Sequence, residues 1–206
     1  MARKTKEEAE KTRKDIIDAA RRVFHQCGVG RSTLDGIARA AGVTRGAIYW
    51  HFADKAALFF AMREDVFTPL TARTDALLFA ERFSDPIDAI EASLNEFFRV
   101  LEDCPVVREV FEIMILRCEY VEEFAGVEQE VKRPAYAFLE KIESRYQLAA
   151  ARGTLRRGLD PLAVARDTWA FTSGLLHLLL GGREGADLER RIPGMIALHM
   201  ALRRAP

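Results

Sequence analysis

The sequence predicts an all-α protein of about nine helices, on three observations. Apolar residues recur with a 3.6-residue period over nearly the whole chain, and no alternating run of strand length interrupts them. Cap and stop residues punctuate the periodic segments. Asp85-Pro86, Cys104-Pro105 and Asp160-Pro161 set a proline near a first helical turn, and Gly28, Gly126, Gly153 and Gly181-Gly182 stand where helices stop. Finally, 206 residues with 49% hydrophobic side chains can bury roughly 70% of the unfolded surface, which excludes a disordered chain.

Taken in order, the first helix spans 6–27, where Ile16, Ile17, Ala20, Val23 and Phe24 form an apolar stripe. Ser32 or Thr33 caps a short helix over 33–41 that turns Leu34, Ile37, Ala38 and Ala41 inward. Gly42-Val43-Thr44 makes a tight turn, and Thr44 caps another short helix over 45–51. Asp54 caps a longer one over 55–80. Further helices are expected over 86–103, 106–120, 127–152, 161–181 and 188–204, with Pro193 delaying or bending the last. No repeat of solenoid length and no low-complexity tract appears.

Charge is unevenly spread. The 31 basic and 31 acidic residues cancel, yet residues 1–55 hold 12 Lys/Arg against 7 Asp/Glu. A basic first quarter suits a polyanionic partner, although a solvated helix face has the same composition. The apolar run from Leu175 to Leu180 is short and broken by His177, so no membrane span is expected. Met1-Ala2-Arg3-Lys4 leads into charged residues rather than an apolar stretch, so no secretory signal is expected. Cys27, Cys104 and Cys118 are odd in number and lack metal-ligand spacing, which fits a reducing cytoplasm without a disulfide framework.

The informative stretch is 32–52. Two short helices joined at Gly42 cannot bury enough surface alone and need the 6–27 helix beneath them. Ala38 and Ala41 are small where the helices approach, and Val43 and Ile48 point into the small core. That leaves Thr44, Arg45, Gly46, Ala47, Tyr49, Trp50 and His51 outside. Such a face suits a DNA major groove. Gly46 and Ala47 keep it narrow, Arg45 offers a donor fork that matches guanine, and Ala47 can meet a thymine methyl. Lys55 and the first amides of the 55–80 helix could hold a phosphate. The competing reading is a helical hairpin that merely packs.

Catalytic chemistry finds no matching pattern. His25, His51, His177 and His199 have neither a His-x-x-x-His partner nor glutamate three residues earlier, and no Cys-x-x-Cys occurs. Gly181-Gly182-Arg183-Glu184-Gly185 lacks the Gly-Lys-Ser/Thr of a phosphate loop and reads as a turn. No enzyme activity, cofactor or metal is expected.

The segment resembles the TetR family of bacterial one-component transcription regulators. Thr33-Leu34, Ile37-Ala38, Ala41-Gly42-Val43, Gly46, Ile48-Tyr49-Trp50-His51-Phe52, Lys55 and Leu58-Phe59 carry the match. The opening Ala2-Arg3-Lys4-Thr5-Lys6-Glu7-Glu8-Ala9 and the core Thr44-Arg45-Gly46-Ala47-Ile48-Tyr49-Trp50 resemble the branch that represses multidrug efflux pumps. Arg117-Cys118-Glu119-Tyr120 and Arg152-Gly153-Thr154-Leu155 are weaker echoes. Gly36 departs from the pattern, where an acidic or larger residue is usual, and should loosen its helix by up to about 1 kcal/mol.

The resemblance implies a DNA-binding domain over 1–54 and a ligand-binding and dimerisation domain over 55–206. Arg45, Gly46, Ala47 and Tyr49 would read bases, while Thr33, Thr44, Trp50, His51 and Lys55 would grip the DNA backbone. It implies a repressor released from double-stranded operator DNA by an apolar or amphipathic effector. Helices 161–181 and 188–204, apolar nearly all round, would form a homodimer interface, or else be buried inside one subunit. Polar residues set among apolar ones mark candidates for the effector pocket. They are Trp169, Thr172, Ser173, Leu176 and His177 on 161–181, with Phe67, Leu94, Phe97, Leu101, Phe111, Met114, Ile115, Cys118, Phe138 and Ile142 opposite. The same stripe also suits plain core. The rival function is a helical carrier or lyase-like bundle without DNA binding.

Overall fold

The structure, a computed structural model, describes residues 6–120, 124, 126–182 and 185–206. The Ala2-Arg3-Lys4-Thr5 opening and the Arg183-Glu184 pair of the glycine-rich turn lie outside the described residues. Among those described, nine α-helices form and no strand does. They are α1 (Lys6–Cys27), α2 (Leu34–Ala41), α3 (Arg45–His51), α4 (Lys55–Leu78), α5 (Pro86–Asp103), α6 (Pro105–Leu116), α7 (Glu128–Arg152), α8 (Pro161–Gly181) and α9 (Gly185–Ala201).

Local chemistry accounts for most of the boundaries. Asp85 and Asp160 cap α5 and α8 by accepting from the Ile87 and Ala163 amides, each just before a proline. The helix expected over 106–120 stops at Leu116, because the chain finds other partners there. The Arg117 carbonyl accepts from Val29 N–H at 2.9 Å, and the Tyr120 hydroxyl folds back to donate to the Met114 carbonyl at 2.9 Å. Pro193 neither delays nor ends the last helix, which begins at Gly185. That helix stops at Ala201 rather than 204, because the following residues pair with the α7–α8 connection. Leu155 and Arg204 form an isolated antiparallel bridge, Arg156 N–H donates to Arg203 O, and Ala205 N–H to Thr154 O.

The chain divides into two compact units, Met1–Phe67 with Val106–Val131, and Thr68–Pro105 with Lys132–Pro206. This packing division differs from the functional boundary expected after residue 54. In the first unit, Ile16, Phe24, Ile37, Ile48, Leu58 and Phe59 are fully buried. Phe59 meets Phe24 at 6.1 Å and Phe124 at 5.6 Å between ring centroids. In the second unit α5 and α8 pack on α9, around Ile87, Ile90, Leu94, Ile142, Tyr146, Ile196 and Met200. The buried Tyr146 hydroxyl is satisfied by Thr168 Oγ1 at 2.9 Å, and burial pushes its pKa up to about 12.

Candidate nucleic-acid interface

The α2–turn–α3 segment is built by short-range hydrogen bonds. The Thr33 side chain accepts from Gly36 N–H at 3.1 Å and caps α2. A Cβ on residue 36 would stand 3.2 Å from that hydroxyl oxygen, so glycine here leaves room for the cap. Gly42 closes α2 at φ 67°, a left-handed conformation that favours glycine, and Val43 N–H donates to Ala38 O at 3.0 Å. Thr44 caps α3 by accepting from Ala47 N–H at 3.2 Å. The seven-residue α3 drives Ile48 wholly into the core, where Ile37 of α2 is also fully buried, and leaves its other face outward.

That outward face carries the expected residues. Thr44, Arg45, Gly46, Tyr49 and Trp50 are exposed, and Ala47 and His51 half-exposed. Trp50 is 71% exposed, which no packing role explains; its ring meets His51 edge-on at 4.4 Å. A Cβ on Gly46 would have only Thr44 Oγ1 near it, at an ordinary 3.9 Å. The protein's own packing therefore does not require glycine there, and the gap is open to an outside partner. Thr33 is exposed at the start of α2.

Asp35 also belongs to this surface, although the motif did not mark it. It is the only carboxylate between residues 32 and 52, and its Oδ2 accepts from Arg45 Nη1 at 3.2 Å. Arg45 Nη2 donates to the Tyr49 hydroxyl at 3.1 Å. The Tyr49 hydroxyl, then Asp35, hold the guanidinium pKa above its usual range.

Lys55 corrects the expectation of a phosphate-gripping side chain. It is only 8% exposed. Its ammonium donates to the carbonyls of Val29 at 3.1 Å, Ser32 at 3.2 Å and Gly30 at 3.4 Å, and lies 5.5 Å from the Phe124 ring centroid. An ammonium has three protons, and three loop carbonyls surround it. Lys55 braces the α1–α2 connection, while the Asp54 carboxylate caps α4 through Ala57 N–H at 2.7 Å.

Sequence reasoning also missed polar ties between α1 and α6. Arg21 pairs with Glu109, and His25 Nε2 lies 2.7 Å from Glu112 Oε2. Arg108 reaches the same Glu112 at 3.4 Å. Val29 N–H closes the set on Arg117 O. The signal existed as carboxylates three residues apart on α6, but periodicity alone does not name their partners.

The candidate effector residues divide between the two units. In the first, Phe67 and Phe111 stack with centroids 4.9 Å apart, Met114 is buried, and Ile115 and Cys118 are half-buried. Burial pushes the Cys118 thiol up to about 11. In the second, Leu94, Leu101, Ile142, Thr172 and Leu176 are buried, and Phe97, Phe138, Trp169 and Ser173 half-buried. Trp169 stacks on Tyr136 at 6.4 Å, and the Thr172 hydroxyl donates to Thr168 O at 2.8 Å. His177, expected on the inward side, is instead exposed, with Nδ1 2.8 Å from Ser173 O. The face of α8 that buries Leu175, Leu176 and Leu179 leaves His177 on the outer side.

A short helix bared on one face, anchored by Ile48 and set by a glycine turn against α2, defines a helix-turn-helix DNA-binding regulator. The family model for bacterial regulatory proteins, tetR family, matches residues 16–62. The HTH-type transcriptional regulator TtgR of Pseudomonas putida is 34% identical over 191 residues, covering 91% of this chain and 89% of that one. The chain belongs to the tetR family. The crystal structure of NalD, the secondary repressor of the MexAB-OprM multidrug efflux pump in Pseudomonas aeruginosa, superposes with a TM-score of 0.84. It has 32% identity, over 97% of this chain and 98% of that one. A SmeT–triclosan complex gives 0.80 with 32% identity, over 94% and 91%; SmeT is the repressor of the Stenotrophomonas maltophilia pump SmeDEF. These relatives are regulators, and the rival carrier or lyase-like bundle is not favoured. Among the described residues no helix is long and apolar enough to cross a membrane.

Proposed function

We propose that this regulator represses a multidrug efflux operon in the cytoplasm and releases its operator when an apolar or amphipathic small molecule binds. The observation that carries the reading is α3, whose Ile48 is fully buried while Tyr49 and Trp50 stand 47% and 71% exposed. Likeness to NalD and SmeT supports efflux control, and the SmeT–triclosan complex supports an apolar effector.

On this reading residues 1–54 bind DNA and 55–206 serve the effector and the dimer. Arg45, Gly46, Ala47 and Tyr49 read base edges; Thr33, Thr44, Trp50 and His51 grip phosphates, with the first amides of α4 in place of the Lys55 ammonium. Two copies join through α8 and α9, where Leu178 and Leu198, with Leu202 just past the end of α9, are more than half exposed on the single chain. The two-fold axis then sets paired readers on half-sites about 34 Å, or a multiple, apart.

Effector binding within one of the two candidate sets, Phe67, Phe111 and Met114 in the first unit or Trp169, Thr172 and Leu176 in the second, moves α4. Lys55 transmits that movement, because its ammonium holds the loop from which α2 and α3 are hung. A coupling of about 1–3 kcal/mol between the sites is typical. The test is a gel shift on the chain's own upstream intergenic DNA, with a panel of pump substrates added. In parallel, Trp50→Phe leaves Trp169 as the sole indole reporter. The reading expects a shifted duplex, released by compounds that change Trp169 emission at micromolar levels. A duplex that never shifts, or compounds that neither release it nor alter emission, would contradict it.

A further inference from the structure

Arg45 is held before any DNA arrives. Asp35 Oδ2 takes one proton of Nη1, the Tyr49 hydroxyl takes one of Nη2, and the guanidinium carbon lies 5.4 Å from the Tyr49 ring centroid. Asp35 stands in the first turn of α2, and Arg45 and Tyr49 on successive turns of α3, so the contact spans the Gly42 turn. The Arg45 and Asp35 side chains are 60% and 50% exposed, and an ion pair so placed adds little to stability. Its consequence is geometric. A guanidinium has five donors in one plane. Two are engaged here, and three remain, enough for the two N–H groups that guanine O6 and N7 accept. An arginine already oriented loses less rotamer freedom on docking.

We propose that Asp35 is a positioning residue for base reading: with the Tyr49 hydroxyl it sets the Arg45 guanidinium in the orientation that docks on guanine. This rests on the reading of α3 given above. The two consequences of the carboxylate have opposite signs. Near phosphates a negative charge weakens binding to any sequence. As a brace for Arg45, it strengthens binding only where the guanine is present.

The test uses full-length protein and a duplex that it selects from a random library. Each protected guanine is then exchanged for adenine, and a random duplex serves as reference. Asp35→Asn removes the charge and keeps the shape. It is expected to lower discrimination at one guanine at least tenfold, while binding to the random duplex stays equal or tightens. Asp35→Glu should recover part of the discrimination. In the Arg45→Ala background, Asp35→Asn should cost no further discrimination, which a merely structural role would not produce. Discrimination kept within twofold in Asp35→Asn but lost in Arg45→Ala overturns the role of Asp35 and leaves base reading intact. Discrimination kept in Arg45→Ala overturns base reading by that arginine and Asp35's role with it. Equal losses on selected and random duplexes overturn the proposal too.

Discussion

The Lys55 ammonium lies 3.1 Å from the Val29 carbonyl oxygen, across 26 residues of chain. One side chain at the start of α4 thereby fixes the connection between α1 and α2, and with it the platform under the reading helix. The same observation changes what substitution at this position should do.

Lys55→Met removes the donor and leaves the carbonyls of Val29, Gly30 and Ser32 to find new partners in a buried place. Unsatisfied buried acceptors cost about 1–3 kcal/mol each before relaxation. We expect a loss of stability of about 2 kcal/mol by chemical denaturation. The salt dependence of DNA binding should stay close to native. A cation on a phosphate contributes about 0.9 to the slope of log K against log salt, so a fall of that size would show that the side chain grips DNA after all.

Gly36 and Thr33 should behave as a pair. Alanine in an exposed helix is favoured over glycine by up to about 1 kcal/mol, but a Cβ here stands 3.2 Å from the capping oxygen. Gly36→Ala alone is expected to leave the unfolding temperature unchanged or lower. In a Thr33→Ala background, with the cap already lost, the same substitution should stabilise. Equal effects in both backgrounds, read by thermal circular dichroism, would dissociate the glycine from the cap.

His199 sets a pH dependence. Its ring stacks on Phe171 at 3.9 Å, with Nε2 3.4 Å from Thr168 Oγ1. Burial, then the charge of Arg203, push its pKa down to about 4 from 6.5, against a smaller opposing pull from Asp167. The unfolded chain therefore binds more protons than the folded one between those values. Stability is whole above pH 6.5 and falls as the pH drops toward 4. Partial exposure limits the effect to on the order of 1 kcal/mol. His199→Phe should remove that component of the acid slope. A slope unchanged by the substitution would place the titration elsewhere.

The fold was legible where its causes are local. Thr33, Gly42 and Thr44 act on residues three or four positions away, so the α2–turn–α3 segment could be read directly. The same holds for the aspartate-proline starts of α5 and α8. Lys55 was not legible, because its acceptors face it only after the 29–32 loop has folded. The early end of α6 depends on Val29 and Tyr120, both outside the helix, which the 3.6-residue period does not register. Asp35 was visible as a lone acid in a motif of small and basic residues, but its purpose rests on the position of α2 against α3. On the effector side, an apolar stripe looks the same whether it lines a pocket or fills a core, and only His177 has been shown to face outward.

The most direct test of the account is the affinity of Tyr49→Ala for operator and random duplexes at one salt concentration. If α3 reads bases, the operator loses about 1–3 kcal/mol, roughly 5- to 150-fold, while the random duplex changes far less. Equal losses on both duplexes, or none on either, would contradict the claim that this helix reads DNA sequence.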